Sequence, residues 1–357
     1  MHIPFCDSKC GYCAFNSQTS KNHLKTTYMK TLAKYLSYKL ATLKETTKIK
    51  ITSVYIGGGT PSTIESHLYE PIFKEFLPLL QPKAEITIEA NPNSLSQEWL
   101  NTLQSFGVNR LSLGVQSFND KKLIFLERNH KIESTYNAME TALKAGLTNL
   151  NIDLIYGTPL CNVELLEYEL ETACSLPINH ISAYHLSLDK GSKFYQKANK
   201  ESFGGLMDSD EEFGEFLSIG HFVKSFLQKQ GFTQYEVSNY TKTHPSYHNL
   251  SYWEGKEYLG IGAGAVGYAK GVRTTMPKNI EKFLSGFYEE KEVLNTQEKL
   301  LEHLLLGFRS CVGVKREKVP NTQNLKILLE EHKVEKRGER IYAKDYFLGD
   351  EIALFVS

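Results

Sequence analysis

The chain has 357 residues, 41% hydrophobic and 23% charged, with 41 Lys and Arg against 41 Asp and Glu. That length can bury a large core, enough for one large domain and a smaller one. The neutral balance argues against a chain built to coat nucleic acid or an anionic membrane, and no apolar run approaches the roughly 20 residues of a membrane span.

The first segment, "MHIPFCDSKCGYC", has no basic region followed by an apolar stretch, so no signal peptide is expected and the compartment is read as the cytoplasm. In a reducing compartment, crowded cysteines point to metal or catalysis before disulfides. "HIPF" reads as a short first strand, and Cys6, Cys10 and Cys13 sit on the loop after it. A helix follows with Leu32, Leu36, Leu40 and Leu43 on one face. "KITSVYIGGGTP" is a β-branched run stopped by glycines, and "EITIEANP" repeats the design. "NRLSLGVQSF", "NLNIDLIYGTP" and "HISAYHLSL" continue it. The intervening helices are marked by Leu95, Leu100 and Leu103, by Met139, Leu143 and Leu147, and by Leu165, Leu166 and Leu170. About six β/α units in succession predict a parallel sheet, open or curved into a barrel.

After residue 190 the pattern changes. "ANKESFGGLMDSDEEFGEF" reads as a polar loop over the sheet leading into a helix. "FTQYEVSNY" and "YLGIGAGAVGYAKG" read as further strands and turns. From about residue 295, a helix "TQEKLLEHLLLGFRS", a second helix near 322–333 and a short hairpin predict a small α+β winged-helix-like domain. Such domains often bind DNA, but in a neutral chain a solvated charged face is the expectation. The predicted division is a core over 1–220, an extension over 221–290 carrying "HNLSYW", and a C-terminal domain over 291–357.

C-x3-C-x2-C places three thiolates on one short loop. A [4Fe–4S] cluster accepts three such ligands and keeps one iron open. Zinc with His2 as fourth ligand is the competing reading, and cysteine pairing a third. "GGGTP", Gly57 to Pro61, lets a ligand approach the backbone and would leave N–H groups free for a carboxylate or phosphate, unless it is only a tight turn. Glu89, Gln116 and Asp153 reach the same sheet edge. Buried there they need partners, either the hydroxyls, amine or adenine of a ligand or the ends of the following helices.

"CDSKCGYC" resembles the signature of radical S-adenosylmethionine (SAM) proteins. "GGGTP", "EANP", "GVQSF" and "DLIYGTP", in this order, resemble the branch holding oxygen-independent coproporphyrinogen III dehydrogenase and the HemW-type haem chaperones. The resemblance implies a partial (β/α)6 barrel in which Cys6, Cys10 and Cys13 bind three irons of a [4Fe–4S] cluster and SAM takes the fourth. It implies Gly58, Gly59 and Thr60 against the methionine part of SAM, with Glu89, Gln116, Arg128, Asp153 and Ser187 as further contacts.

Two positions depart from the dehydrogenases. They carry another cysteine two residues after the third, where this chain has Phe15, so coproporphyrinogen III dehydrogenase activity is doubtful. Family members also carry a tyrosine a few residues before "HIPFC"; here Met1 stands close to that motif, so either the natural start lies upstream or SAM loses one wall. "HNLSYW", His248 to Trp253, resembles a motif associated with haem in HemW proteins. His248 is the implied axial ligand, with Tyr252 and Trp253 against the macrocycle. The alternative is a buried structural His–Asn–Trp cluster, with His185 or His244 as ligand instead. Cys161, Cys174 and Cys311 read as small core residues.

The leading expectation is a haem-binding chaperone on a radical SAM scaffold that passes haem to acceptor proteins, with membrane acceptors and a homodimer also anticipated and nucleic acid not. The enzyme alternative is SAM-dependent oxidative decarboxylation of coproporphyrinogen III to protoporphyrinogen IX. A radical SAM enzyme with another substrate and a zinc-held structural protein follow.

Overall fold

Six β-rich runs, each closed by Gly, Asn or a polar turn, pair in parallel because a helix returns the chain after each one. The computed structural model describes residues 1–45, 48–198 and 210–357, with side chains of 210–216 excepted. The strands are β1 (His2–Ile3), β2 (Ile51–Gly58), β3 (Leu80–Ala90), β4 (Arg110–Gln116), β5 (Leu150–Tyr156) and β6 (His180–His185), neighbours in that order. Between them run α1 (Lys25–Lys44), α2 (Glu70–Phe76), α3 (Gln97–Ser105), α4 (Asp120–Phe125), α5 (Ile132–Lys144) and α6 (Val163–Ser175). Then come α7 (Lys193–Ala198) and α8 (Asp210–Lys229). Two antiparallel strands, β7 (Thr233–Gln234) and β8 (Asn239–Thr241), extend the sheet past β6 in the order β6–β8–β7. Among the described residues β1 and β7 do not pair with each other, so the barrel is partial.

Register turns the strand pattern into a site. His2 pairs with Gly57, and Glu89 with Ser112. Ser112 pairs with Asn151, and Asn151 with His180. The row is polar on the inside of the curve. Alternate residues, Ile88, Leu111, Leu113, Ile152 and Ile181, are buried under the helices.

The extension continues with α9 (Tyr247–Trp253), β9 (Val266–Ala269), β10 (Val272–Thr275), α10 (Ile280–Ser285) and β11 (Glu290–Val293), the last three strands forming an antiparallel sheet in the order β11–β10–β9. Leu227, Tyr240, Ile261 and Phe283 of residues 221–290 belong to the same apolar core as the barrel. A second core lies among α11 (Thr296–Phe308), β12 (Val314–Lys315), α12 (Thr322–Glu330), β13 (Val334–Arg337), β14 (Arg340–Ala343) and α13 (Gly349–Val356), centred on Leu304, Phe308, Ile341 and Ile352. Three helices and a three-stranded sheet that includes a hairpin make this part winged-helix-like.

Several expectations need correction. The C-terminus does not end in the hairpin: "GDEIALFV" forms α13, whose Ile352, Ala353 and Val356 seal the second core. Leu143 shares no buried face with Met139; it is 43% exposed, while Met139 is buried. Leu95 precedes α3, and Leu147, though buried, follows α5. Cys311 is exposed rather than a core residue, whereas Cys161 and Cys174 are partly buried against the main core. Most of the "ANKESFGGLMDSDEEFGEF" loop, 199–209, lies outside the described residues.

Candidate cofactor site in the barrel

A cavity of about 390 Å3 opens inside the curve of the sheet. Cys6, Cys10 and Cys13 form one wall, and Gly58, Gly59 and Thr60 a second. Glu89, Gln116, Arg128, Asp153 and Ser187 supply the rest, so every predicted residue except His248 meets here. Phe15 stands at the same cavity and is 69% exposed, and it offers no sulfur at the position of the extra cysteine.

The cysteine loop is fixed from both ends. Cys6 N–H donates to the Gln18 carbonyl at 3.1 Å, and Gly11 N–H to the Leu126 carbonyl at 3.2 Å. The Thr60 hydroxyl donates to Cys6 Sγ at 3.4 Å, and an Arg128 guanidinium N–H to Cys10 Sγ at the same distance. Arg128 is itself held by Asn91 Oδ1 at 2.9 Å and the Gly114 carbonyl at 2.7 Å. Burial raises the Cys6 and Cys13 thiols above their usual range. Burial therefore favours the protonated thiols, whose protons iron would displace on binding.

The glycines act through space rather than as an anion cradle. A Cβ on Gly59 would come within 2.6 Å of the Phe5 carbonyl and 3.0 Å of Cys6 Sγ. Gly58 adopts φ +120°, which side chains rarely tolerate. The expected free N–H groups are absent: Gly57, Gly59 and Thr60 donate to the Met1, Ile3 and Phe5 carbonyls, and Gly58 donates to Glu89 Oε2 at 3.0 Å. Side chains and the open faces of the glycines are what remain for a ligand.

Two buried carboxylates sit on the cavity wall. Glu89 accepts from Tyr55 Oη at 2.7 Å, and burial pushes its pKa up to about 7. Asp153 accepts from Asn151 Nδ2 at 2.8 Å and is also raised by burial. Gln116 closes β4 at φ +67°, a left-handed conformation unusual for a non-glycine residue and of the kind found at binding sites. The Ser187 hydroxyl donates to Asp189 Oδ2 at 3.2 Å.

Sequence reading missed Tyr55, Asn91, Ser112, Asn151 and Ser182, which also line the cavity. Their signal was available: polar residues at every second position of otherwise apolar strands, and the Asn of "EANP".

His248 lies elsewhere, at the first turn of α9. Its Nδ1 is 2.9 Å from Ser53 Oγ and its Nε2 is 3.1 Å from Tyr252 Oη, while its ring stacks on Tyr55 at 5.2 Å. Desolvation lowers its pKa to about 3, so the ring is neutral. Both nitrogens are engaged, and iron could bind Nε2 only by displacing Tyr252. The start of α9 is pinned to the barrel by Glu85, which accepts from Ser246 Oγ (2.8 Å), Tyr247 N–H (3.1 Å) and His248 N–H (3.1 Å). Asn249 donates to Tyr235 Oη at 3.3 Å, and Tyr235 lies 2.9 Å from His180 Nε2. His180 Nδ1 in turn meets Asn151 at 2.6 Å, beside Asp153. The buried structural role foreseen as an alternative for this motif is thus present for His248 and Asn249. His185 lines the barrel cavity, and His244 stacks on Tyr247 outside it.

Comparison with known proteins gives the family. Residues 1–172 match the Radical SAM superfamily model. The chain is 33% identical over 329 residues to the Heme chaperone HemW of Bacillus subtilis, covering 89% of this chain and 84% of that one. It is equally identical over 322 residues to HemW of Escherichia coli, with 87% and 81% covered. The chain belongs to the HemW family. The solved structure of coproporphyrinogen III oxidase (HemN) from Escherichia coli, titled as a radical SAM enzyme, superposes with TM-score 0.81 at 19% identity over 100% of this chain and 89% of that one, which shows the shared fold.

Membership of this family implies a [4Fe–4S] cluster and SAM. The residues fit both. Three free thiols of one loop line one cavity, with a guanidinium and a hydroxyl already directed at two of the sulfurs. Zinc would need a fourth ligand beside the three thiols, and the sequence offered His2. His2 is turned to the Asn16 carbonyl at 2.8 Å.

Proposed function

We propose that this chain is a haem chaperone built on a radical SAM scaffold, binding haem and passing it to acceptor proteins in the cytoplasm. The observation that carries the reading is the likeness to proteins named heme chaperones over almost the whole chain. Phe15, in place of the extra cysteine two residues after the third, supports it over coproporphyrinogen decarboxylation. Among the described residues no helix is long and apolar enough to cross a membrane.

In this reading Cys6, Cys10 and Cys13 hold the cluster, and Gly58, Gly59, Thr60, Glu89, Gln116, Arg128, Asp153 and Ser187 hold SAM. A bound cluster supplies one-electron chemistry at its open iron. The protein's own contribution is positional and electrostatic. Arg128 keeps a positive charge beside Cys10, and Thr60 orients Cys6. Glu89 and Asp153, neutral or ionised according to their partner, can accept hydrogen bonds from ligand hydroxyl or ammonium groups without reorganisation. The three-part division at 220 and 290 belongs to the same reading, supported at its second boundary by the separate apolar core that begins in α11.

The test is anaerobic purification, reconstitution with iron and sulfide, and separate incubation with haemin plus an apo-haem protein, and with coproporphyrinogen III plus SAM and a reductant. Haem uptake and transfer without protoporphyrinogen formation is expected. Protoporphyrinogen formation without haem uptake would replace the chaperone with the enzyme.

A further inference from the structure

A file of polar side chains crosses the inside of the barrel from α9 to the cofactor cavity: Asn249, Tyr235, His180, Asn151 and Asp153. Tyr235, His180 and Asn151 are buried, while Ile152 and Ile181, the next residues on the same strands, are apolar core. A polar file inside a barrel costs more than an apolar one unless every member is satisfied, and once satisfied it holds one geometry.

The hydrogen bonds give each proton in the file a direction. Asn151 Nδ2 donates to Asp153 Oδ1 at 2.8 Å and to Ser112 Oγ at 2.7 Å. With its nitrogen so committed, Asn151 turns its Oδ1 to His180 Nδ1 at 2.6 Å and accepts the Ser182 hydroxyl at 3.2 Å. An amide oxygen cannot donate, so the imidazole proton sits on Nδ1. His180 Nε2 then accepts from the Tyr235 hydroxyl at 2.9 Å, and the Tyr235 oxygen accepts from Asn249 Nδ2 at 3.3 Å. Burial holds the His180 pKa well below its ordinary value, so the ring is neutral, with the one donor and one acceptor that the file requires.

Asn151 is the member that could turn over. Half a turn of its amide would set oxygen against the Asp153 carboxyl. The Ser182 hydroxyl can donate or accept, so it does not oppose that turn, whereas an imidazole protonated at Nδ1 does. Tyr235 keeps that tautomer by giving its own proton to Nε2. We propose that His180 is a positioning residue for SAM: through Asn151 it aims Asp153 into the cavity, and through Tyr235 and Asn249 it ties that aim to the "HNLSYW" helix. This rests on Asp153 as a SAM contact and adds what holds it in place. Asn151, Asp153 and Asn249 line the cavity and His180 does not, so His180 acts through its neighbours.

The experiment measures SAM binding by anaerobic dialysis of the reconstituted full-length protein and its variants, with iron content and thermal melting for each. His180→Leu fills similar space without a donor and should weaken SAM about tenfold, the loss of one hydrogen bond at a charged group, with iron content unchanged. His180→Asn returns an N–H near the place of Nδ1 and should restore affinity to within about threefold. Tyr235→Phe removes one oxygen and should weaken SAM about threefold; it decides the question if His180→Leu does not fold. Heteronuclear NMR of cofactor-free protein labelled at histidine should show His180 as the Nδ1–H tautomer. An Nε2–H tautomer would overturn the proposal. So would full SAM affinity in folded His180→Leu or Tyr235→Phe, or a folded His180→Asn that binds no better than His180→Leu. Unchanged SAM affinity in Asp153→Ala would instead overturn the SAM contact beneath it.

Discussion

The barrel cavity and the cavity beside α11 are of similar size, about 390 and about 430 Å3, and are built in opposite ways. The first is walled by one parallel sheet, whose register sets Glu89, Ser112 and Asn151 side by side and whose polar groups are already bonded to one another. The second is walled by α9, the β9–β10 hairpin and α11, which meet through side chains. A preformed polar site holds a cofactor in one geometry at little cost in ordering. A site formed by side-chain contact between separate elements has no such shared register to fix its polar groups. α9 joins the two, pinned to β3 by Glu85 at one end and reaching the second cavity through Tyr252 at the other.

The largest effect expected is confined to the first cavity. Cys10→Ala should reduce reconstituted iron from about four per chain to near none and abolish the broad absorption around 400 nm. Full iron and colour in that variant would show that the thiols are not the ligands.

A smaller effect tests the joint between the cavities. Glu85→Ala leaves three buried or half-buried donors at the start of α9 without an acceptor and should cost about 3 kcal/mol in denaturant unfolding. It should leave iron content unchanged. A loss below 1 kcal/mol would mean that α9 is held by other contacts.

The third effect is a pH dependence. Burial raises both Glu89, in the barrel wall, and Glu236, behind α11, to about 7. Each binds its proton more tightly when folded, so its contribution is greatest below the ordinary carboxylate pKa and falls as pH rises to about 7. From pH 5.5 to 8 the cofactor-free protein should lose about 2 kcal/mol for each group. Glu89→Gln or Glu236→Gln should each remove its own share of that slope. A stability independent of pH across this window would show that neither carboxylate is held neutral.

How much was legible follows from how each region is encoded. The β/α succession showed because each strand is a β-branched run closed by glycine or a polar turn, and most of the barrel cavity's residues showed because they lie in short local motifs. The anion-cradling role of "GGGTP" did not survive, since strand pairing with the cysteine loop uses those N–H groups, and that pairing is made by residues over fifty positions away. α13 was missed because apolar residues crowd "EIALFV" without a clear helical period. Of the second cavity's lining, Tyr252 alone lies in a motif. Tyr258, Tyr268, Lys299 and His303 are unremarkable in their own segments and meet only through the packing of α11 on α9 and the hairpin. His248 attracted attention because its neighbours resemble a known motif, yet its ring is committed to Ser53 and Tyr252.

The most direct test of a haem chaperone on this scaffold is haemin titration of the reconstituted protein. The prediction is roughly one haem equivalent, with a Soret band, in protein that carries the cluster. A cluster-loaded protein that takes up no haem would contradict it.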